Sequence, residues 1–409
     1  NYTEEVADGV RLLKIGCLYG SNASGKTNIL KALDFFARFM VKDSLNKGDE
    51  TYVVPFLLDD VSAKEKTEFE MTFYQNRERY KLNLVLNNKV IYSEVLQVYS
   101  SAQPTMLYKR SYNAETDSTD IVFGGKIGLL KKSRETILGN TINNRTVIAA
   151  FGLSNVEKSR LNLVYDFFLQ GIAHLMYPQS DLMGFTKSRL KRDGDGRLKK
   201  FILHFLKASD FNISDISVHE EDMAITPTLE MMIKSTPGMS EVTKMEILKK
   251  GVITSEEMFF MHHTEYGEKE LDESLESRGT KRYMGLATIL YDLLAHGVIL
   301  PIDEIETSIH YELLSYFIKV FLVNSKKGAQ LIISTHDINL LDEDYIRRDV
   351  IWFTDKNDCG ETKLIRLSSL GLHKTLSVYN AYKQEKLVDL PFLDSIYMDM
   401  EEYYGNEEE

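Results

Sequence analysis

The sequence predicts an α/β fold: a core of strands and helices with an antiparallel β-subdomain and an inserted helical lobe. Three observations predict it. A short apolar stretch, Ile15–Tyr19, runs into a glycine-rich turn and then into helical periodicity carried by Ile29, Leu30, Leu33, Phe36 and Met40. Next come "TEFEMTFY", "RYKLNLVLNN" and "KVIYSEVLQVY", which alternate as half-buried antiparallel strands do. The final third alternates strand and helix, as parallel α/β packing requires. Between these regions, Lys131 to Ala208 reads as mostly helical, including "KSRLNLVYDFFLQGIAHLM" and "RLKKFILHFLKAS". "TPTLEMMIKSTPGMSEVTKMEILKKG" reads as a loop-and-helix insertion, and "EMFFMHHTEY" returns to strand character.

Composition narrows the class. With 409 residues, 43% hydrophobic and 27% charged, the chain has the make-up of a soluble globular protein with ample core. No apolar run approaches bilayer length, so the expectation is no membrane role for the chain itself. Cys17 and Cys359 give neither zinc spacing nor a disulfide framework, which points to a reducing cytoplasm. A net charge of −12 argues against a general nucleic-acid coat and leaves a local basic groove open. No repeat and no sustained heptad pattern is present, which excludes a clamp with long coiled-coil arms. Asn1 in place of a starting methionine leads to the expectation that a short N-terminal piece precedes it.

The turn after Ile15–Tyr19 is "YGSNASGKTNIL". Gly20 to Thr27 fit G-x-x-x-x-G-K-[ST], and the residue types have a physical reason. The glycines let the backbone curl so that the N–H groups of Asn22, Ala23, Ser24 and Gly25 converge on phosphates. Lys26 reaches the β- and γ-phosphates, and the Thr27 hydroxyl binds Mg²⁺. A helix N-terminus then presents its positive dipole end to the anion.

Such a loop needs an acidic partner at a strand end, and "GVILPIDEIETSIH" supplies Asp303 and Glu304. Asp303 is expected to hold Mg²⁺ and Glu304 to polarise the attacking water. The pair lies far downstream of Thr27, unlike the acids of small kinases and GTPases. Upstream stands "LESRGTKRYMGLATILYDLL", in which Ser277, Arg278, Gly279 and Thr280 form a polar turn opening an amphipathic helix. Downstream, "AQLIISTHD" puts His336 at the end of a buried strand. Singly, each has a plainer reading: Ser277 as an ordinary N-cap, His336 as a strand-end histidine, the acidic pair as a solvated helix start. In this order and spacing they match the head of ABC-type ATPases.

The sequence resembles the AAA-type, ABC-head ATPases of bacterial anti-phage and abortive-infection systems, relatives of the OLD-family ATPase domain. The likeness is carried by "YGSNASGKTNILKAL", "PFLLDD" followed by "TEFEMTF", "ESRGTKRYMGL", "IDEIETSIHYELL", "IISTHDINLLD" and "RRDVIWFTDK", and so covers most of the chain. It implies ATP and Mg²⁺ as cofactors, Lys26 and Thr27 as phosphate and metal ligands, Asp303 as second metal ligand, Glu304 as base and His336 as γ-phosphate sensor. Ser277, Gly279 and Thr280 would cap the γ-phosphate of ATP held by a second copy, giving a homo-oligomer joined by nucleotide sandwiches. On this pattern residues 1–128 form the first half of the ATPase lobe and 129–255 the helical lobe. Residues 256–375 form the second half, and 376–409 a helical, acidic tail.

Three residues depart from the pattern. His310 stands where many such heads carry an aspartate. Pro301 falls inside what should be a central strand, where it deletes a ladder N–H. Gln75 is the nearest candidate for a metal-sensing glutamine. The short stretch after His336 leaves no room for a TOPRIM nuclease, so any such effector is expected as a separate polypeptide. A different reading is a RecF-like DNA-binding repair ATPase, supported by "KSRLKRDGDGRLKK", Lys187 to Lys200, with seven basic residues. A third is an assembly whose ATP is held rather than turned over.

Overall fold

Apolar spacing sets the elements of the computed structural model, which describes residues 2–236, 240–373, 376–384 and 387. The chain opens with β1 (Thr3–Ala7), β2 (Val10–Leu13), β3 (Ile15–Tyr19) and α1 (Lys26–Met40). Five strands follow: β4 (Thr67–Gln75), β5 (Glu78–Leu86), β6 (Ile91–Tyr99), β7 (Thr105–Asn113) and β8 (Ser118–Phe123). Then come α2 (Lys131–Asn140), α3 (Val147–Gly152), α4 (Arg160–Gln170), α5 (Leu182–Lys191) and α6 (Arg197–Ala208). The next group is β9 (Ile213–Ala224), α7 (Pro227–Ser235), α8 (Glu241–Lys250), β10 (Val252–Thr264) and β11 (Gly267–Asp272). The last third holds α9 (Arg278–His296), β12 (Ile299–Ile302), α10 (Tyr311–Asn324), β13 (Gln330–Ser334), β14 (Ile351–Lys356), β15 (Thr362–Arg366) and α11 (Val378–Lys383). The acidic tail expected over 376–409 lies outside the described residues from 388 onward. The chain divides into two units.

One unit comprises Ile15–Leu169 and Ile332 onward. Its core pairs β3 with β14 in parallel, Cys17 opposite Ile351 and Tyr19 opposite Phe353, and β14 with β15 antiparallel. Cys17 is fully buried, and burial pushes its thiol pKa up to about 12, which makes it an inert core residue. Phe36 of α1 stacks on Phe69 of β4 at 5.3 Å and meets Phe168 of α4 edge-on at 5.7 Å, so the helix that follows the glycine loop is anchored by aromatic packing.

The β-subdomain in this unit is antiparallel in the order β4-β5-β6-β7-β8. Along β5 the alternation is strict, with Tyr80, Leu82, Leu84 and Leu86 buried. The sequence identifies β4 to β6 but not β7 and β8; in β7 an arginine breaks the pattern by pointing inward. Arg110 is fully buried and donates to Ile91 O and to Asn143 O, both at 2.8 Å. Glu94, also fully buried, accepts from the Tyr108 hydroxyl at 2.6 Å and from Val147 N at 2.9 Å. This polar cluster ties β6 and β7 to the first turn of α3.

The other unit comprises Asn1–Lys14 and Gln170–Leu331. Here β9, β10 and β11 form an antiparallel sheet whose outer part, residues 219–224 of β9, is exposed. The long helix α9 is the spine. Tyr283 stacks on Phe205 of α6 at 5.0 Å, and Tyr291 meets Phe201 at 5.4 Å. A side chain at Gly285 would put Cβ only 2.4 Å from Leu182 Cβ, so α5 and α9 approach as closely as a glycine permits. Lys14 is buried and donates from Nζ to Ser325 O at 2.6 Å, closing the C-terminal end of α10; burial lowers its pKa.

Pro301 fits β12 because of the neighbour it faces. Ile299 N donates to Gly171 O and Asp303 N to Met176 O, both at 2.8 Å, while Pro301 O accepts from Met176 N at 3.0 Å. Ile172 and Met176 bridge to Ile299 and Ile302, so one extra residue stands opposite the proline. The missing donor thus falls where that neighbour is already irregular.

Candidate functional site

The predicted site residues divide between the two units, and each group is built locally. In the first unit, β3 ends at Tyr19 and the chain turns through Gly20, Ala23 and Gly25, which have φ of 155°, 62° and 105°. Two of these positions admit no side chain. A Cβ on Gly20 would lie 2.2 Å from Thr354 Oγ1, and one on Gly25 would lie 2.1 Å from Thr362 Oγ1. Helix α1 then begins at Lys26 with Gly25 as its cap. Its glycine cap offers no side-chain acceptor and no acid sits in its first turn, so its positive end suits an anion. Asn22 and Ala23 are exposed on the loop, whereas Lys26 is buried and donates from Nζ to Gly20 O at 2.9 Å and Ser21 O at 3.1 Å. Thr27 follows in the first turn of α1, half-buried.

The β14–β15 hairpin braces this loop. Thr354 Oγ1 lies 2.6 Å from Ser24 Oγ and donates to Tyr19 O at 3.1 Å, and Thr362 donates to Ser24 O at 2.9 Å. Ser24 therefore turns its hydroxyl inward. Sequence reasoning missed both threonines, since a threonine within a strand carries no local signal. Thr354→Val keeps the shape and removes the hydroxyl, and it is expected to weaken nucleotide binding about fivefold, the loss of one buried hydrogen bond. Calorimetric titration with ATP checks this, and an unchanged Kd contradicts it.

His336 lies two residues past β13 and is exposed. Its neighbours fix it beside β3: Thr335 N donates to Leu18 O at 3.1 Å, and the Tyr19 hydroxyl donates to Asp337 O at 3.3 Å. The unit thus brings His336 to the strand end from which the glycine loop departs.

In the second unit β12 delivers Asp303, 5% exposed, and then Glu304, whose φ of 45° is left-handed, as is that of Ser308 at 63°. Non-glycine residues held there mark a turn that the surroundings over-determine. Ser277 caps α9, accepting from Thr280 N at 3.0 Å, and its hydroxyl lies 2.9 Å from that of Thr280. A Cβ on Gly279 would lie 3.0 Å from Ser308 O, so the start of α9 packs against the turn that follows the acidic pair. The unit brings these two motifs together. His310 caps α10, its Nδ1 accepting from Glu312 N at 3.3 Å. In the first unit, Gln75 ends β4 at a hairpin whose Asn76 and Arg77 have φ of 49° and 62°.

The basic stretch from Lys187 to Lys200 is largely neutralised within its own unit. Lys187 pairs with Glu273 at 3.1 Å, Lys191 with Glu256 at 2.6 Å and also with Glu220, and Lys199 with Asp215 at 2.7 Å. Arg189 pairs with Asp292, and Arg197 with Asp195. Five of its seven cations are thereby engaged by carboxylates that reduce its pull on a polyanion. Among the described residues no helix is long and apolar enough to cross a membrane.

No curated protein is significantly similar to the chain. Among solved structures it is similar to an SMC head domain from Thermotoga maritima, at 12% identity over 89% of this chain and 97% of that one, with a TM-score of 0.39. A second similarity is to an Smc head bound to the C-winged helix domain of ScpA, at 12% identity over 88% and 94% with a TM-score of 0.37. Overlap at this level is a partial likeness, and the family follows from sequence. Strand, glycine loop and helix N-terminus, with the antiparallel subdomain, make up a mixed α/β fold. The family described as "AAA domain, putative AbiEii toxin, Type IV TA system" matches residues 15–342, and the chain belongs to it.

Proposed function

We propose that this chain is the ATP-binding and ATP-hydrolysing subunit of a bacterial anti-phage defence system, that it oligomerises through ATP sandwiches, and that it controls a separate toxic effector such as a TOPRIM-like nuclease in the cytoplasm. The observation that carries the ATPase part is the glycine-capped N-terminus of α1, wrapped by a loop whose Gly20 and Gly25 admit no Cβ, with Lys26 at its mouth. Lys26 and the loop N–H groups of Asn22 to Gly25 hold the phosphates; Thr27 and Asp303 serve as the protein's ligands to Mg²⁺. Bound Mg²⁺ supplies charge neutralisation on the phosphates. Glu304 acts as the base and His336 as the sensor of the γ-phosphate, while Ser277, Gly279 and Thr280 cap the nucleotide of a second copy. The family's toxin–antitoxin description supports the defence context. The ion-paired state of Lys187, Lys191 and Lys199 weighs against the RecF-like reading.

The test is direct. Purified chain hydrolyses ATP in the presence of Mg²⁺, and Lys26→Ala lowers kcat/KM by about 10²–10³. Failure of the unmodified chain to bind ATP overturns the proposal at its base.

A further inference from the structure

The second unit holds a cavity of about 450 Å³ at the start of α9 that the nucleotide reading does not use. Its walls are the 178–183 turn, three cations of α9 (Arg278, Lys281 and Arg282), and Thr307 with Ser308. Two helices begin at its rim, α5 after the cap Asp181 and α9 after the cap Ser277, so two positive dipole ends face it. Asp181 is the one carboxylate of the lining, and its Oδ1 is engaged by Gly184 N at 2.8 Å.

Arg282 is the informative residue. It is 8% exposed, and its Nη1 donates to Pro178 O at 2.8 Å. Its Nε and Nη2 are buried and have no hydrogen-bond partner. Glu306 acts on the guanidinium electrostatically. A buried guanidinium edge left without acceptors is costly, and its persistence calls for an explanation. The Nε–Nη2 pair is the side-on fork that matches two oxygens of one phosphate. Lys281, although it donates to Glu273 O at 3.1 Å, keeps further ammonium donors, and Arg278 is exposed beside it.

We propose that this cavity binds a phosphate group within a single protomer. Arg282 provides the fork, and Arg278 and Lys281 provide the flanking cations. The ligand is inorganic phosphate or the phosphate end of a small ester, and the site is independent of the glycine loop.

Thermal unfolding of the full chain carrying Lys26→Ala, which silences phosphate binding at the glycine loop, tests this. Inorganic phosphate is expected to raise Tm saturably by at least about 3 °C over chloride at equal ionic strength. Arg282→Met is expected to abolish that increment. Because loss of a buried guanidinium can cost the fold itself, the double variant Arg278→Gln/Lys281→Gln, altering more accessible groups, is measured alongside; it is expected to weaken the apparent phosphate affinity about tenfold or more. A tighter response to AMP than to inorganic phosphate assigns an ester as the ligand, and the reverse assigns the free anion. No phosphate-specific shift in the Lys26→Ala chain, or an undiminished shift in the double variant, overturns the proposal.

Discussion

Glu304→Gln is expected to lower ATP turnover by about 10²–10⁴, the range for loss of a positioned general base, while ATP affinity changes little. Glutamine keeps the size and the hydrogen-bonding oxygen of the side chain and loses the ability to accept the proton. The backbone at Glu304 is left-handed, with φ of 45°. Glutamine and glutamate share the same Cβ demands there, so the substitution isolates the chemistry from the strain. Asp303 beside it is buried and untouched by the change. An effect on kcat with KM preserved is the signature of an interaction made in the transition state. Steady-state phosphate release with a parallel binding titration reads both quantities. An unchanged turnover contradicts the assignment of Glu304. A variant that no longer turns over ATP yet still protects cells from phage supports the reading in which ATP is held.

The largest effect on stability is expected in the β-subdomain, at Arg110→Met. Arg110 and Glu94 are both fully buried, and burial raises the pKa of Glu94 and lowers that of Arg110 to about 10. Each charge is tolerated because of the other and because of the carbonyls and hydroxyls around them. Removing one partner leaves an uncompensated buried charge, at a cost of about 3–5 kcal/mol. Calorimetry of Arg110→Met is expected to show that loss, and Glu94→Gln/Arg110→Met to lose less than the two single variants combined. Destabilisation by less than about 1 kcal/mol, as for an exposed pair, contradicts the account of the cluster.

Legibility from sequence followed the range of the constraint. The loop from Gly20 to Thr27 was readable because backbone curvature forces glycine at fixed spacing, and the structure shows what forces it: Thr354 and Thr362 fill the space a Cβ would need. Those same threonines were invisible, since the contact that makes them matter joins residues far apart in sequence. β4 to β6 were readable from alternation, while β7 was hidden by the inward-facing Arg110. The charge run from Lys187 to Lys200 suggested a polyanion surface only because its carboxylates, Asp215, Glu256 and Glu273, lie elsewhere in the chain. Pro301 was correctly placed in a strand, and its tolerance depended on an extra residue in the 172–176 segment.

The claim at the centre is that one copy of the chain carries only part of each working nucleotide pocket. Two inactive variants test it most directly when mixed: Lys26→Ala, which disables the glycine loop, and Ser277→Arg, which obstructs the cap offered to a second copy. Ser277 is exposed, and loss of its capping bond costs only about 1 kcal/mol, so the variant folds. Each alone is expected to be nearly inactive. Mixed in equal amounts they are expected to regain about a quarter of normal ATP turnover, because random pairing gives half the dimers one intact pocket. A mixture as silent as its components, with both variants folded and the unmodified chain active, contradicts the shared pocket.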